Sequence, residues 1–229
     1  MKVKWGALIV DGRNKIGGQV ASKNRHGAYM RNKVTPVNPK SSFQVSVRAR
    51  LSSLASAWRG LTAAQRLAWN AAVSDYKKTD IFGDIQNPSG FNLFVKLNTN
   101  LLNIGIAQIT DPPLPVAVTV FTAFTVAAAE GAQTMTATVA PATLPVGEKI
   151  IIRATPALSA GKTFVKSEFR QISVVAAVVA GSIDLAATYI AKFGPIGAAG
   201  SKIFVEIIHV SSVTGQMSQV QQASAIVAA

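Results

Sequence analysis

Hydrophobic positions change their period twice along the chain. Up to residue 40 no regular period is present. Asp11-Gly12 and Gly17-Gly18 are turn signals, and Arg25-His26-Gly27 separates two short polar segments able to pair. Thr35-Pro36-Val37-Asn38-Pro39 then imposes an extended exit, because proline fixes its own φ and keeps its predecessor out of the helical region. From Ser41 the period becomes helical. Phe43, Val47, Leu51, Leu54, Trp58 and Leu61 are spaced three or four apart, a single stripe expected to face a core. Gly60 stops this helix, and Thr62 with Gln65 makes a capping-box start for a second. There Trp69, Val73 and Tyr76 form the apolar face, and Lys77-Lys78 suit the negative end of the helix dipole. Asn87-Pro88-Ser89-Gly90 precedes a third helix with Phe91, Phe94, Val95, Leu101 and Leu102 inward.

Pro112, Pro113 and Pro115 cannot continue a helix and predict a stiff, extended connection at 111–115. Beyond it Val, Ala, Thr and Ile dominate, and the pattern predicts strands at 118–126, 134–139, 148–155, 163–173, 173–179, 202–210 and 216–227. Thr134, Thr136 and Thr138 alternate with Met135, Ala137 and Val139 as a half-buried strand does. Ser212-Val213-Thr214-Gly215 joins the last two strands as a hairpin, and 184–192 predicts one or two helical turns in a crossing loop. About seven strands without a long helix predict an immunoglobulin-like or fibronectin-type sandwich. The expected fold is therefore α+β and multidomain. A basic extended or hairpin arm at 1–40 leads into a small three-helix unit at 41–110. The proline linker at 111–115 comes next, and then an immunoglobulin-like β-sandwich at 116–229.

Composition narrows the chemistry. With 49% apolar and 14% charged residues in 229, a disordered chain is excluded. The absence of cysteine removes disulfides, thiolate metal sites, iron–sulfur clusters and cysteine nucleophiles. His26 and His209 lie far apart and leave little for a histidine metal site or a catalytic triad. Neither the short apolar start nor Val116–Ala129 nor the interrupted stretch Ile172–Ala191 predicts a leader or a bilayer span. A soluble, non-enzymatic protein without cofactor or metal is expected.

Charge is distributed unevenly. Residues 1–110 hold 16 Lys/Arg against Asp11, Asp75, Asp80 and Asp84, whereas residues 111–229 hold 7 against 6 acids. From Gly12 to Ser74 there are 11 basic residues and no acid. A solvated surface mixes both signs, so this run points to an anionic partner, either nucleic acid or an acidic protein surface. The candidate partner-binding residues are Arg13, Lys15, Lys23, Arg25, Arg31, Lys33 and Lys40 in the arm, with Arg48 on the first helix.

Other motifs reduce to ordinary structure. Ser159-Ala160-Gly161-Lys162-Thr163 resembles the end of a phosphate-binding loop, but Pro156 stands where the first glycine is needed, and residues 164–169 alternate like a strand rather than opening a helix. Asp75, Asp80 and Asp84 have neither calcium-loop spacing nor the form of a carboxylate pair and read as surface acids. His26 reads as solvated and His209 as packed in a strand.

The runs Lys15-Ile16-Gly17-Gly18 and Lys33-Val34-Thr35-Pro36-Val37-Asn38-Pro39, with Ala57-Trp58-Arg59 and Leu61-Thr62-Ala63-Ala64-Gln65-Arg66-Leu67-Ala68-Trp69-Asn70, resemble a family of tailed-phage virion proteins. Asn87-Pro88-Ser89-Gly90-Phe91-Asn92-Leu93-Phe94 continues the likeness, which covers residues 13–115. Such proteins occur in phages of gut Bacteroidetes, including the crAss-like group. The resemblance implies a structural component of the virion: an auxiliary or decoration protein on the capsid, present in many copies and assembled in the host cytoplasm. Its implied partner is the major capsid protein, bound through the basic arm and helical unit. The alternative expectation is a nonspecific DNA-binding or genome-packaging protein. A particle-borne hydrolase would require an acid or histidine cluster that the sequence does not offer.

Overall fold

The runs Ile150-Ile151-Ile152 and Ile203-Phe204-Val205 do not alternate, which marks strands with no solvated face. In the structure, a computed structural model describing every residue except 7, 8, 10 and 25, these runs lie on adjacent central strands of one antiparallel sheet. The elements before them are β1 (Asn14–Ile16), β2 (Gln19–Asn24), β3 (Gly27–Asn32), α1 (Ser42–Gly60), α2 (Ala63–Ala71), a 3-10 turn (Ala72–Tyr76), β4 (Lys78–Thr79), β5 (Ile85–Gln86) and α3 (Gly90–Asn103). Then come β6 (Ala123–Ala129), β7 (Thr134–Ala140), β8 (Glu148–Ala154), β9 (Arg170–Val175), β10 (Ser182–Asp184), α4 (Ala186–Phe193), β11 (Lys202–Ser211) and β12 (Gln221–Ile226). The sheets have the orders β1-β2-β3, β4-β5, β10-β7-β6 and β12-β11-β8-β9. The chain is α+β.

The two larger C-terminal sheets share one core. Ile150, Ile152 and Ala154 of β8, with Ile203, Val205 and Ile207 of β11, pack with Met135, Ala137 and Val139 of β7. Leu185, Tyr189 and Ile196 belong to the same cluster. The alternate residues Ile151, Ile208 and Val210 are also buried, but against Leu101 and Ile104 at the end of α3. Leaving those three side chains in water would cost on the order of 5 kcal/mol, a large share of a domain's net stability. The helices are therefore a third layer on the outer face of the four-stranded sheet. Polar contacts fix the seam: Asn100 Nδ2 donates to the Gly215 carbonyl at 2.7 Å, Lys149 Nζ to the Ile104 carbonyl at 3.0 Å, and Asn103 Nδ2 to Gln171 at 3.0 Å.

Helical packing centres on Leu54, Trp69, Leu93, Phe94 and Leu97. The Trp69 and Phe94 rings meet edge to face at 5.3 Å. Asn98 is wholly buried and fully used: its amide donates to the carbonyls of Phe94 and Ile109, and its oxygen accepts the Ile109 N–H at 2.7 Å. Thr62 and Gln65 form the expected reciprocal cap of α2. The proline segment lies against the body rather than standing free. Trp69 Nε1 donates to the Thr110 carbonyl, Tyr76 Oη to the Pro113 carbonyl, and the Val116 N–H to Gln216.

Three details depart from the periodicity. The α1 stripe is only half used: Leu54 is buried, but Phe43, Val47 and Leu51 are exposed. The reason is length. α1 runs for about 28 Å, whereas α3, which packs along it through Trp58, Phe91 and Phe94, is about 21 Å long and covers its C-terminal half. Residues 118–122 are extended without a strand ladder, because Glu148 and Gln221 side chains accept the N–H groups of Thr119 and Phe121. The segment 163–169 is a turn-rich loop with Val165 buried and Phe164 exposed, and β10 forms at 182–184, where small and polar residues masked a strand.

Gly215 sits in the β11–β12 connection at φ +72°, a conformation that L side chains rarely adopt, and a Cβ there would run into the Leu97 carbonyl. Gly215→Ala is expected to lower stability by about 1–3 kcal/mol. It should also split the unfolding transition, since it pushes α3 off the sheet. Calorimetry of the variant checks both outcomes.

Candidate partner-binding surface

The N-terminal sheet is built by two turns. Gly17-Gly18 folds β1 onto β2, with Lys15 opposite Val20 and Ile16 opposite Gln19. The second turn folds β2 onto β3, with Val20 opposite Arg31 and Lys23 opposite Ala28. Because side chains alternate across a strand, Lys15 and Arg31 flank Val20 on one face while Lys23 occupies the other. The Lys33 N–H donates to the Gly18 carbonyl at 2.8 Å, which brings Lys33 to the same end as Lys15 and Arg31. Lys40 (φ +52°) stands just before α1, and Arg48 Nη1 on α1 donates to Asn38 Oδ1 at 2.9 Å, folding the proline-bounded strap back along the helix. Arg13 differs from these, pairing with Asp11 at 2.9 Å. Arg25 lies outside the described residues. The structure thus brings Lys15, Arg31 and Lys33 together, sets Lys23 on the reverse face, and places Lys40 and Arg48 on the neighbouring strap and helix.

The acids of this half are largely occupied. Asp80, read from the sequence as a solvated acid, is the centre of a partly buried knot instead: its carboxylate accepts from Lys2 Nζ at 2.8 Å, from the Phe82 and Asp84 N–H groups, and from Gln86 Nε2. The Lys2 hydrogen bond holds the Asp80 carboxyl below the usual carboxylate range, helped by the two backbone N–H groups and opposed by partial burial. Lys4 pairs with Asp84 at 3.0 Å and stands 5.1 Å from the centre of the Phe82 ring. Residues 1–3 meanwhile add to the free edge of β3, through Val3 N–H to Ala28 and Met30 N–H to the Met1 carbonyl. Gln86 Nε2 also reaches the His26 carbonyl. The N-terminal segment is therefore the strap that ties the basic sheet to the β4–β5 hairpin. Proximity of Lys2 and Asp80 had no local signal, since 78 positions separate them. Among the described residues Lys15, Lys23, Arg31, Lys33 and Lys40 make no ion pair, so their charge is available to a partner.

The remaining candidates have structural roles. Lys162 pairs with Glu168 at 3.2 Å in a loop, and no helix comes after it to cradle a phosphate. His209 is buried, with Nδ1 3.0 Å from Glu148 Oε2 and its ring edge-on to Phe121 at 4.5 Å. Burial pushes the Glu148 carboxyl up, but hydrogen bonds from the Thr119 N–H and O–H, together with His209, outweigh it and hold it low. This cluster fastens residues 116–121 to the sheet.

No protein-family model matches the sequence, and no curated protein matches it. Among solved structures, a Fn3-like protein from Clostridium thermocellum aligns with 50% of this chain and 97% of its own at 13% identity and a TM-score of 0.30. A beta-1,2-glucanase from Parabacteroides distasonis aligns with 51% of this chain and 14% of its own at 14% identity and a TM-score of 0.27. Scores this low carry no argument about function.

The Asp80 knot predicts an acid-labile attachment. A carboxylate whose folded-state pKa is depressed stabilises above its unfolded pKa and loses that contribution as pH falls. The contribution is still present at the ordinary aspartate pKa of about 4, and lowering the pH below that value is expected to release the N-terminal sheet. Asp80→Asn should do the same at neutral pH, exposing residues 13–40 to trypsin while the C-terminal sheets stay folded. Time-resolved proteolysis read by mass spectrometry checks this.

Proposed function

We propose that this chain is a non-enzymatic structural protein of a tailed-phage particle, an auxiliary or decoration protein held on the major capsid protein by its basic arm and helical unit. In this reading residues 1–40 are the arm, residues 41–110 a three-helix anchor, and residues 116–229 an immunoglobulin-like sandwich carried on the particle surface. It would assemble in the host cytoplasm and be present in many copies. The observation that supports the reading is the set Lys15, Lys23, Arg31, Lys33 and Lys40 on the N-terminal sheet and strap, which make no ion pair among the described residues. Three of the four acids of residues 1–110, Asp11, Asp80 and Asp84, are paired with Arg13, Lys2 and Lys4. The resemblance of residues 13–115 to phage virion proteins names the setting.

Purified mature particles should contain this chain in many copies, and quantitative mass spectrometry finding none would sink the proposal. The same bases could neutralise phosphates, so the second measurement separates a protein surface from DNA. The chain is titrated with random-sequence duplex across salt, beside a variant with Lys15, Lys23, Arg31 and Lys33 changed to Gln. Weak binding near physiological salt, little changed in the variant, supports the capsid reading. Tight binding that falls steeply with salt, with a log–log slope of roughly 0.9 per phosphate and a loss of about four contacts in the variant, supports genome packaging instead.

A further inference from the structure

α1 carries one unbroken apolar seam, yet the chain covers only part of it. Leu54 is buried and Trp58 packs against Phe91 and Phe94, while Phe43, Val47 and Leu51 on the same stripe are 78%, 49% and 52% exposed. These three span about 12 Å of helix beyond the reach of α2 and α3. An isolated helical segment of that length is marginal in water, so a bare apolar seam on it is an unfinished interface. We propose that the N-terminal half of α1 seats Phe43, Val47 and Leu51 in an apolar groove rimmed by carboxylates on a partner protein.

Charge selects that occupant. Arg48 and Arg50 border the exposed half of the seam, Lys40 precedes it, and no acid occurs between Gly12 and Ser74. A second copy of this helix would set arginine against arginine without a carboxylate to relieve it. Lipid is disfavoured by the width of the seam. On the helical wheel Gln44 lies to one side and Ser46 to the other, whereas interfacial helices present a broad apolar face. From Val47 the spacing to Leu51, Leu54, Trp58 and Leu61 is the alternating four-and-three of knobs meeting holes on another protein. The inference deepens the auxiliary-protein reading: it rests on that reading for where the partner is found, and on α1 for the partner's chemistry.

The probe is a synthetic helical peptide with leucine along its seam and glutamate on both flanks, titrated against the full-length chain by fluorescence anisotropy. A peptide with lysine at the same flanks is the control. The glutamate peptide is expected to bind and to weaken as salt rises, and the lysine peptide not to bind. Changing Phe43, Val47 and Leu51 to Ser should weaken binding by roughly tenfold or more. Because those side chains are solvated, the melting temperature should hold; if it does not, Leu51→Glu alone, repelled by the acidic rim, gives the same reading. Arg48→Gln with Arg50→Gln should flatten the salt dependence. The proposal is overturned if the glutamate peptide fails to bind or binds the triple-serine chain equally well. It is also overturned if sedimentation shows a dimer of the chain that the serines dissolve, or if phosphatidylserine vesicles take up the chain through this seam while the peptide does not. Particle composition is scored separately. Peptide binding with the chain absent from particles sinks the auxiliary role alone, and particles containing the chain without peptide binding sink the groove alone.

Discussion

The helices and the C-terminal strands are arranged around a sheet that has no solvated face at its centre. β8 and β11 place isoleucine and valine on both faces, so the sheet must be covered twice. The inner face is covered by β7 and its neighbours. The outer face is covered by the end of α3, through Leu101 and Ile104. That second cover explains why the helices cannot drift on a tether. Burial of Ile151, Ile208 and Val210 against Leu101 and Ile104 holds α3 to the sheet, and hydrogen bonds from Asn100 and Lys149 set the register of the contact. Two cores that share one sheet are expected to unfold together.

The N-terminal sheet obeys different physics. Within it, Ala21 is the side chain that is buried; most of the rest is polar and solvated. Its attachment depends on Lys2, Asp80, Gln86 and a short run of backbone hydrogen bonds. Such contacts have modest net stability and are sensitive to salt and acid. The sheet is thus placed at the low-stability end of the molecule, where local opening is least costly. That is a suitable location for a surface that has to adapt to another body, and an unsuitable one for a catalytic centre that needs rigid geometry.

Some of this was legible in the residues. The capping box at Thr62 and Gln65, the turn at Gly17-Gly18 and the alternation over 134–139 are local signals, and each appears where its pattern lies. The unbroken runs at 150–152 and 203–205 announced strands, but not what covers their second face, because periodicity carries no partner. The role of Asp80 was hidden for the same reason: its lysine is at the other end of the segment, and nothing near Asp80 names it. The α1 stripe misled in the opposite direction. Spacing identifies a face that avoids water, not the molecule that removes it, and the placement of α3 along α1 decides where cover ends.

Residues 13–51 combine three properties. They hold bases that make no ion pair among the described residues, they include an extended strap at 33–41 without a core of its own, and they end in an apolar seam that this chain leaves open. Ordering a strap of that kind costs about 1–2 kcal/mol for each residue fixed, and the Lys33 N–H to Gly18 and Arg48 to Asn38 hydrogen bonds are set against it. Charge alone on an exposed surface returns little per pair, and a seam of three side chains alone gives no direction. Together they are complementary: apolar burial supplies the free energy, while the bases on both sides of it choose an acidic rim and exclude a basic copy.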